Sequence, residues 1–250
     1  MAKRPQKPKK VVIVGSASNT KDQTPWDDES FEIWGLAWRL DFVRVDRLFD
    51  VHPVAGVKFE ERLKKGRVKK DYPEFLASRA PLPLYLQDAY SHIPSSIKYP
   101  MEEVLEFMAA FDPAFADPDY FASSIAFMFA LAMCEGFEEI RFFGVDLTDE
   151  EEYGHQKPNL EYMIGLARGS GIKVFIPERS ALCKFPYRYG YEDFTGDEGI
   201  LTVKALQDRV KMYSEKHQAA LAEAYTADGA RQECQQLLSI LKNSKRGKQV

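Results

Sequence analysis

Four short stretches carry residues that can do chemistry. Ser123-Ser124 stands directly before the apolar run Ile125 to Met133. A serine there is a good helix N-cap, because its oxygen accepts from free amides of the first turn. Those amides and the helix dipole make that end a site for an anion. Asp146 closes the run Ile140-Arg-Phe-Phe-Gly144-Val-Asp146. If Ile140 to Phe143 is a strand of an α/β sheet, Asp146 sits at its carboxyl end, where such sheets place ligands. Gly15-Ser16-Ala17-Ser18 follows the β-branched run Val11 to Val14. Such a turn either brings backbone close to a phosphate or simply joins strand to loop. Its one glycine does not make a GxGxxG or GxxxxGK[ST] pattern. His155 lies in the polar stretch Tyr153-Gly-His-Gln-Lys157, and His52 is held extended by Pro53. His52 is open to a site role at a strand end or to a capping or structural one.

These residues need a sheet to bring them together. Val11 to Val14 suits a central parallel strand buried on both faces. Further strands are expected at about Glu32 to Gly35, Arg47 to Val51, Leu84 to Leu86, Ile140 to Phe143 and Ile172 to Ile176. Helices are expected over Lys58 to Lys70, Met101 to Phe111 and Pro158 to Ala167, and another, capped by Ser123 or Ser124, runs through Ile125 to Met133 and ends on Gly136 as a C′ glycine. Tyr72 to Pro100, rich in Pro, Tyr and Ser, reads as irregular structure over a site, or a lid. The sum is an α/β fold: a Rossmann-like, mostly parallel sheet with helices on both faces, plus a long C-terminal helical arm. The arm begins near Val203. Val203, Leu206, Val210, Tyr213, His217, Ala220 and Ala224 follow a three-four spacing, continued by Ala227, Arg231, Cys234, Leu238 and Leu241. That seam predicts one long helix, or two broken near Asp228-Gly229, either pairing with another copy or packing on its own domain.

Composition bounds the rest. A chain of 250 residues with a formal net charge of −4 is an ordinary globular protein without a general pull towards nucleic acid. The basic segment Lys58 to Lys70 reads as a solvated face, and it leaves nucleic acid open as an acceptor. No apolar run is long enough to cross a bilayer, so no membrane partner is expected. Cys134, Cys183 and Cys234 share no ligand spacing, and Cys134 reads as a buried thiol. They point to a reducing, cytoplasmic setting. The acids Asp149 to Glu152 read as a solvated loop, with a divalent cation as the alternative, since hard cations take carboxylates although adjacent ones cannot all converge on one ion. No metal is expected to be required.

Ser123-Ser124-Ile-Ala-Phe-Met-Phe-Ala-Leu-Ala-Met, Gly136-Phe-Glu-Glu-Ile and Gly144-Val-Asp146 resemble the bacterial lipooligosaccharide sialyltransferases. They also look like the related fold of the archaeal-type hydroxymethylpterin pyrophosphokinases. The chain as a whole has the look of uncharacterised phage-encoded proteins, which implies the host cytoplasm as its location. The resemblance spans roughly Lys10 to Ala181, in short pieces. It implies a nucleotide site: Gly15, Ser16 and Ser18 on phosphate or ribose, Ser123 and Ser124 on a phosphate, and Gly144, Asp146 and Tyr153 beside the nucleotide. Tyr153-Gly-His155-Gln-Lys resembles the segment with the family's general-base histidine. It implies His155 as catalytic base and Asp146 as a partner for a ribose or acceptor hydroxyl. An unperturbed imidazole, with a pKa of about 6.5, suits that proton transfer. His52 and Tyr189 are accessory candidates. The chain departs from the family at Ser16, where an asparagine is usual, and at Ala17, where a second glycine is.

The expected function is therefore a nucleotide-dependent transferase, first a glycosyltransferase with a nucleotide-sugar donor of the CMP type and an unknown acceptor. ATP-dependent pyrophosphoryl transfer and a non-catalytic nucleotide-binding or assembly protein are the alternatives. The expected divisions are a disordered basic tail (1–10), a nucleotide-binding α/β domain (11–198), a coiled-coil-like arm (199–242) that makes a homo-oligomer, and a disordered tail (243–250).

Overall fold

The structure, a computed structural model, describes residues 9–116, 120–147, 153–185, 188–191 and 203–246. The chain divides into two units, one ending at Lys184 and the other beginning at Phe185. Most of the expected N-terminal tail, the last four residues of the C-terminal one, residues 117–119 and the acids Asp149 to Glu152 lie outside the described residues.

The first unit is built on a seven-stranded sheet. Its strands are β1 (Lys10–Val14), β2 (Glu32–Leu36), β3 (Arg47–Asp50), β4 (Leu84–Leu86), β5 (Ser96–Lys98), β6 (Glu139–Phe143) and β7 (Lys173–Phe175). They run in the order β5-β4-β3-β2-β1-β6-β7, and all six pairings are parallel. The sheet is thus parallel throughout rather than mostly so. β1 is paired on both sides, Val14 with Gly35 on β2 and with Phe143 on β6. This explains its unbroken Val-Val-Ile-Val run, since a central parallel strand has no wet face.

The pleat sorts side chains to two faces. Val11, Ile13, Trp34 and Phe49 form a core with α4 (Met101–Ala109), α5 (Ser124–Cys134) and α6 (Tyr153–Gly169). On the opposite face Leu48, Leu84 and Leu86 pack under Leu76 of α3 (Tyr72–Ala77), while Val12, Val14 and Ile33 lie under Phe31, Trp26 and Phe42. Two further helices are α1 (Ser18–Lys21) and α2 (Gly56–Lys64).

α5 is the pivot. Ile125, Ala126 and Met128 to Met133 are buried, so it is apolar nearly all round. Its far end closes on Gly136 at φ +75°, with Gly136 N donating to Met133 O and Phe137 N to Ala132 O at 3.0 Å each. These two bonds satisfy the last carbonyls of the helix. That end is tied to the amino edge of the sheet: Arg47 at the start of β3 pairs with Glu135 at 2.7 Å and Glu32 at 2.9 Å, and its guanidinium lies 4.7 Å from the Trp34 ring. α5 therefore runs against the strands, and Ser123-Ser124 falls at their carboxyl edge.

Four local expectations change. Tyr153 to Lys157 is the first part of α6, not a loop, and Pro158 lies inside that helix rather than at its start. The helix gives up one backbone bond at the proline. Its packing through Leu160, Met163, Ile164 and Ala167, and Asn159 accepting from Ala122 N and donating to Tyr120 O, outweigh the loss. Residues 72–100 hold α3 and β5 as well as the expected strand β4, rather than an irregular lid. The basic helix is shorter, ending at Lys64. Cys134 is half-buried rather than buried.

The second unit is dominated by α7 (Val203–Arg246), one helix of 44 residues that continues through Gly229. Val210, Tyr213, Tyr225, Leu238 and Ile240 are exposed on it.

Candidate functional site

The strand order reverses between β1 and β6, and a crevice opens where the connections from such neighbours part. The two strand ends are bonded to each other there. Gly15 N donates to Phe143 O and Ala17 N to Gly144 O, both at 2.8 Å, while Thr20 Oγ1 accepts from Gly144 N at 2.8 Å. A Cβ on Gly15 would stand 2.3 Å from Gly144 O, so only glycine permits the approach. Gly144 itself has φ +63°. This revises the expected part of Gly15. Its amide and that of Ala17 are committed to β6 rather than free for a phosphate. What the turn presents is Ser16 and Ser18, both exposed.

Of the two serines expected to cap α5, Ser123 is the one that does. Its φ and ψ are −157° and 157°, and its Oγ accepts from Ala126 N at 3.1 Å. The first intrahelical bond runs from Phe127 N to Ser123 O at 3.2 Å. The amides of Ser124 and Ile125 precede it, which is the arrangement that attracts an anion. Asp146, two residues beyond Gly144, accepts from Ala181 N at 2.7 Å, beside a Ser180 Oγ bond to Val145 O at 2.9 Å. Part of its work is thus to hold residues 180–182 against the end of β6.

These parts line one cleft of about 570 Å³: Gly15, Ser16, Ser18, Ser123, Ser124, Gly144 and Asp146, with Leu36, Trp38, His52 and Gln156. The size suits a nucleotide-sized ligand. Seven of the residues singled out from sequence for the nucleotide therefore share a cleft. His155 does not line it. It is exposed on the first turn of α6, one residue before the cleft-lining Gln156, and has no hydrogen-bond partner among the described residues. Tyr153 is the first residue of α6, and Tyr189 is exposed in the second unit. Among the described residues no group of three His, Cys, Asp or Glu side chains could hold a metal ion.

His52 is the histidine in the cleft lining. It follows β3 by two residues, and its Nδ1 lies 2.6 Å from Asp50 Oδ1, which also accepts from His52 N at 2.9 Å. The Tyr72 hydroxyl donates to the other oxygen, Oδ2, at 2.6 Å. Asp50 is 2 % exposed. Burial alone would push its carboxyl up, but the hydrogen bond and charge of His52 and the Tyr72 hydroxyl outweigh it and hold the pKa below the usual value. Burial, then the charge of Asp50, pushes the Tyr72 phenol well up, so it remains a donor. The Asp-x-His spacing before a proline was a usable signal for this pair. Nothing in the sequence pointed to Tyr72, Trp38 or Gln156.

No family model matches this sequence, and no curated protein matches it. Several solved structures do. The sialyltransferase CstII from Campylobacter jejuni, in complex with the substrate analogue CMP-3FNeuAc, is similar over 81% of this chain and 99% of its own, with 14% identity and a TM-score of 0.44. The same enzyme with cytidine-5'-monophosphate gives 14%, the same coverages and 0.41. An alpha-2,3-sialyltransferase from Campylobacter jejuni in apo form gives 11% identity and 0.45, over 84% of this chain and 96% of its own. At such identities and TM-scores, what this chain shares with them assigns it no activity.

Proposed function

We propose that the chain is a nucleotide-dependent transferase, with a nucleotide-sugar donor bound in the cleft between β1, β6 and the start of α5. The observation that carries this is the meeting of three polar strand or helix ends in one cleft: Ser16 to Ser18, Ser123 to Ile125, and Asp146. Backbone amides at the α5 start take the donor phosphate, where the helix dipole and the Ser123 cap favour negative charge. Ser16 and Ser18 offer hydroxyls in the same cleft, and Asp146 offers an acceptor to a ribose hydroxyl. The resemblance of the Ser123 to Met133 and Gly144 to Asp146 segments to the lipooligosaccharide sialyltransferases supports a CMP-type donor. In such a transfer the acceptor oxygen attacks the anomeric carbon, and the nucleotide phosphate leaves with the bonding pair. α7, with its exposed apolar seam, pairs with a second copy of the chain.

Isothermal calorimetry with CMP, UDP, GDP and ATP tests the donor site. At least one of them binds, CMP most tightly. No binding by any of the four overturns the reading.

A further inference from the structure

His52 and Trp38 line a second cavity as well as the cleft, and it is the larger of the two at about 1040 Å³. Its other walls come from the end of β3, from α2, from α3 and from the residues between these two helices. They bring Arg62, Arg67 and Lys69 together with the rings of Tyr72 and Phe75, whose centroids are 5.9 Å apart. Three cations face two carboxylates, Asp50 and Asp71, and both oxygens of Asp50 are already used by His52 and Tyr72. Arg62 donates from Nη1 to Pro53 O at 2.6 Å, while Arg67 and Lys69 are exposed. A cavity with surplus positive charge and aromatic walls suits a ring-bearing anion.

The imidazole between the two cavities has a defined tautomer. Asp50, kept ionised, can only accept, so Nδ1 carries a proton, and in the neutral imidazole the lone pair is on Nε2. The side chain of His52 is 53% exposed while that of Asp50 is 2% exposed. A buried carboxylate that orients an accessible imidazole is the arrangement of a general base.

We infer that His52 takes the acceptor proton, with Asp50 and Tyr72 as positioning residues, and that the second cavity receives a sugar acceptor bearing a carboxylate or phosphate. The inference rests on the reading of the first cleft as the donor site. Nε2 removes the proton from the acceptor hydroxyl as its oxygen bonds to the anomeric carbon of the donor. The bond from that carbon to the phosphate oxygen breaks, and the pair leaves with the nucleotide. The imidazolium, stabilised by Asp50, returns its proton to water.

The test uses the full chain in two stages. Calorimetry with CMP, UDP, GDP and ATP judges the donor site alone. Nucleotide release is then followed from CMP-, UDP- and GDP-sugars, with glucuronate, glucose 6-phosphate or glucose as acceptor. The charged acceptors are expected to stimulate release at least tenfold over glucose. His52→Gln and Asp50→Asn lower kcat at least 100-fold and change nucleotide Kd and acceptor KM less than threefold. Tyr72→Phe lowers kcat three- to tenfold, again without moving KM. Arg67→Glu raises KM for the charged acceptors at least fivefold and leaves kcat within twofold. His155→Ala stays within threefold of the parent. His52 and Arg67 are exposed, so their variants read the inference even if Asp50→Asn fails to fold. Undiminished turnover in His52→Gln, loss in His155→Ala, or nucleotide binding without release from any donor and acceptor overturns it. Absence of nucleotide binding instead removes the donor site on which it stands.

Discussion

Gly15 and Gly144 meet so closely that a Cβ on the first would stand 2.3 Å from the carbonyl oxygen of the second. The atom that the Cβ would meet belongs to backbone, which cannot swing aside as a side chain would. The contact joins the ends of β1 and β6, where the cleft begins. Gly15→Ala is expected to cost about 1–3 kcal/mol, the usual range for overpacking. Urea denaturation should show a lower midpoint with an unchanged slope. Gly165→Ala is the contrast, since nothing lies within 4 Å of its built Cβ and it is exposed in α6. Helix propensity makes that change stabilising by up to about 1 kcal/mol.

Ser123 is a cap and, on the proposed function, part of a phosphate site. Two substitutions separate these parts. Ser123→Ala loses the bond from Ala126 N and should cost about 1 kcal/mol of stability. Ser123→Asp keeps a capping oxygen and favours the helix dipole, so stability stays near the parent. Its charge repels a phosphate, and CMP affinity should fall at least tenfold by calorimetry. Unchanged affinity in the aspartate variant would leave Ser123 a cap alone.

The Asp50 pair predicts a pH dependence at each end. The folded Asp50 pKa is depressed. Its stabilising contribution is therefore present above the unfolded value of about 3.9 and is lost as pH falls through the folded value. The stability gap between parent and Asp50→Asn, measured by urea at pH 7, 5 and 3.5, should close at the acid end. The folded Tyr72 pKa is raised. Its contribution is present below the unfolded value of about 10 and declines as pH rises above it. Tyr72→Phe should flatten that alkaline loss.

The α7 seam is tested by charge. Val210 and Leu238 are exposed and share the three-four spacing of the helix. Paired Val210→Glu and Leu238→Glu substitutions place like charges along any seam between two copies. Light scattering after size exclusion should show the parent as an oligomer and the double variant as a monomer, with far-UV circular dichroism of the sheet domain retained. An unchanged mass would remove α7 as the contact.

Much of this protein could be read without coordinates. The Val11 to Val14 run, the apolar length of α5, its Ser123 cap and Gly136 stop, and Gly-Val-Asp146 after β6 are local signals. Each follows from burial period or from the bonding of helix ends, and together they put Ser123 and Asp146 at one sheet edge. Short elements were harder. β5 has only Ser96 to Lys98 and no alternation to display, and the first turn of α6 is polar and precedes a proline. Their conformation is set by partners distant in the chain, Leu84 to Leu86 for β5 and Tyr120 to Ala122 for α6.

The Asp50-Val-His52 spacing is local, but the choice between the two histidines needed tertiary structure. As letters, His52 follows a strand-like run and precedes a proline, His155 stands in a polar stretch, and resemblance pointed to His155. Folding carries Tyr72 across from α3 to Asp50, buries that carboxylate, and sets His52 between two cavities. Sequence determines which side chains can titrate and which stretches bury themselves. Whether the carboxylate beside His52 is buried and held from its far side depends on how folding brings Tyr72 to Asp50, 22 positions away, and no local propensity encodes that contact.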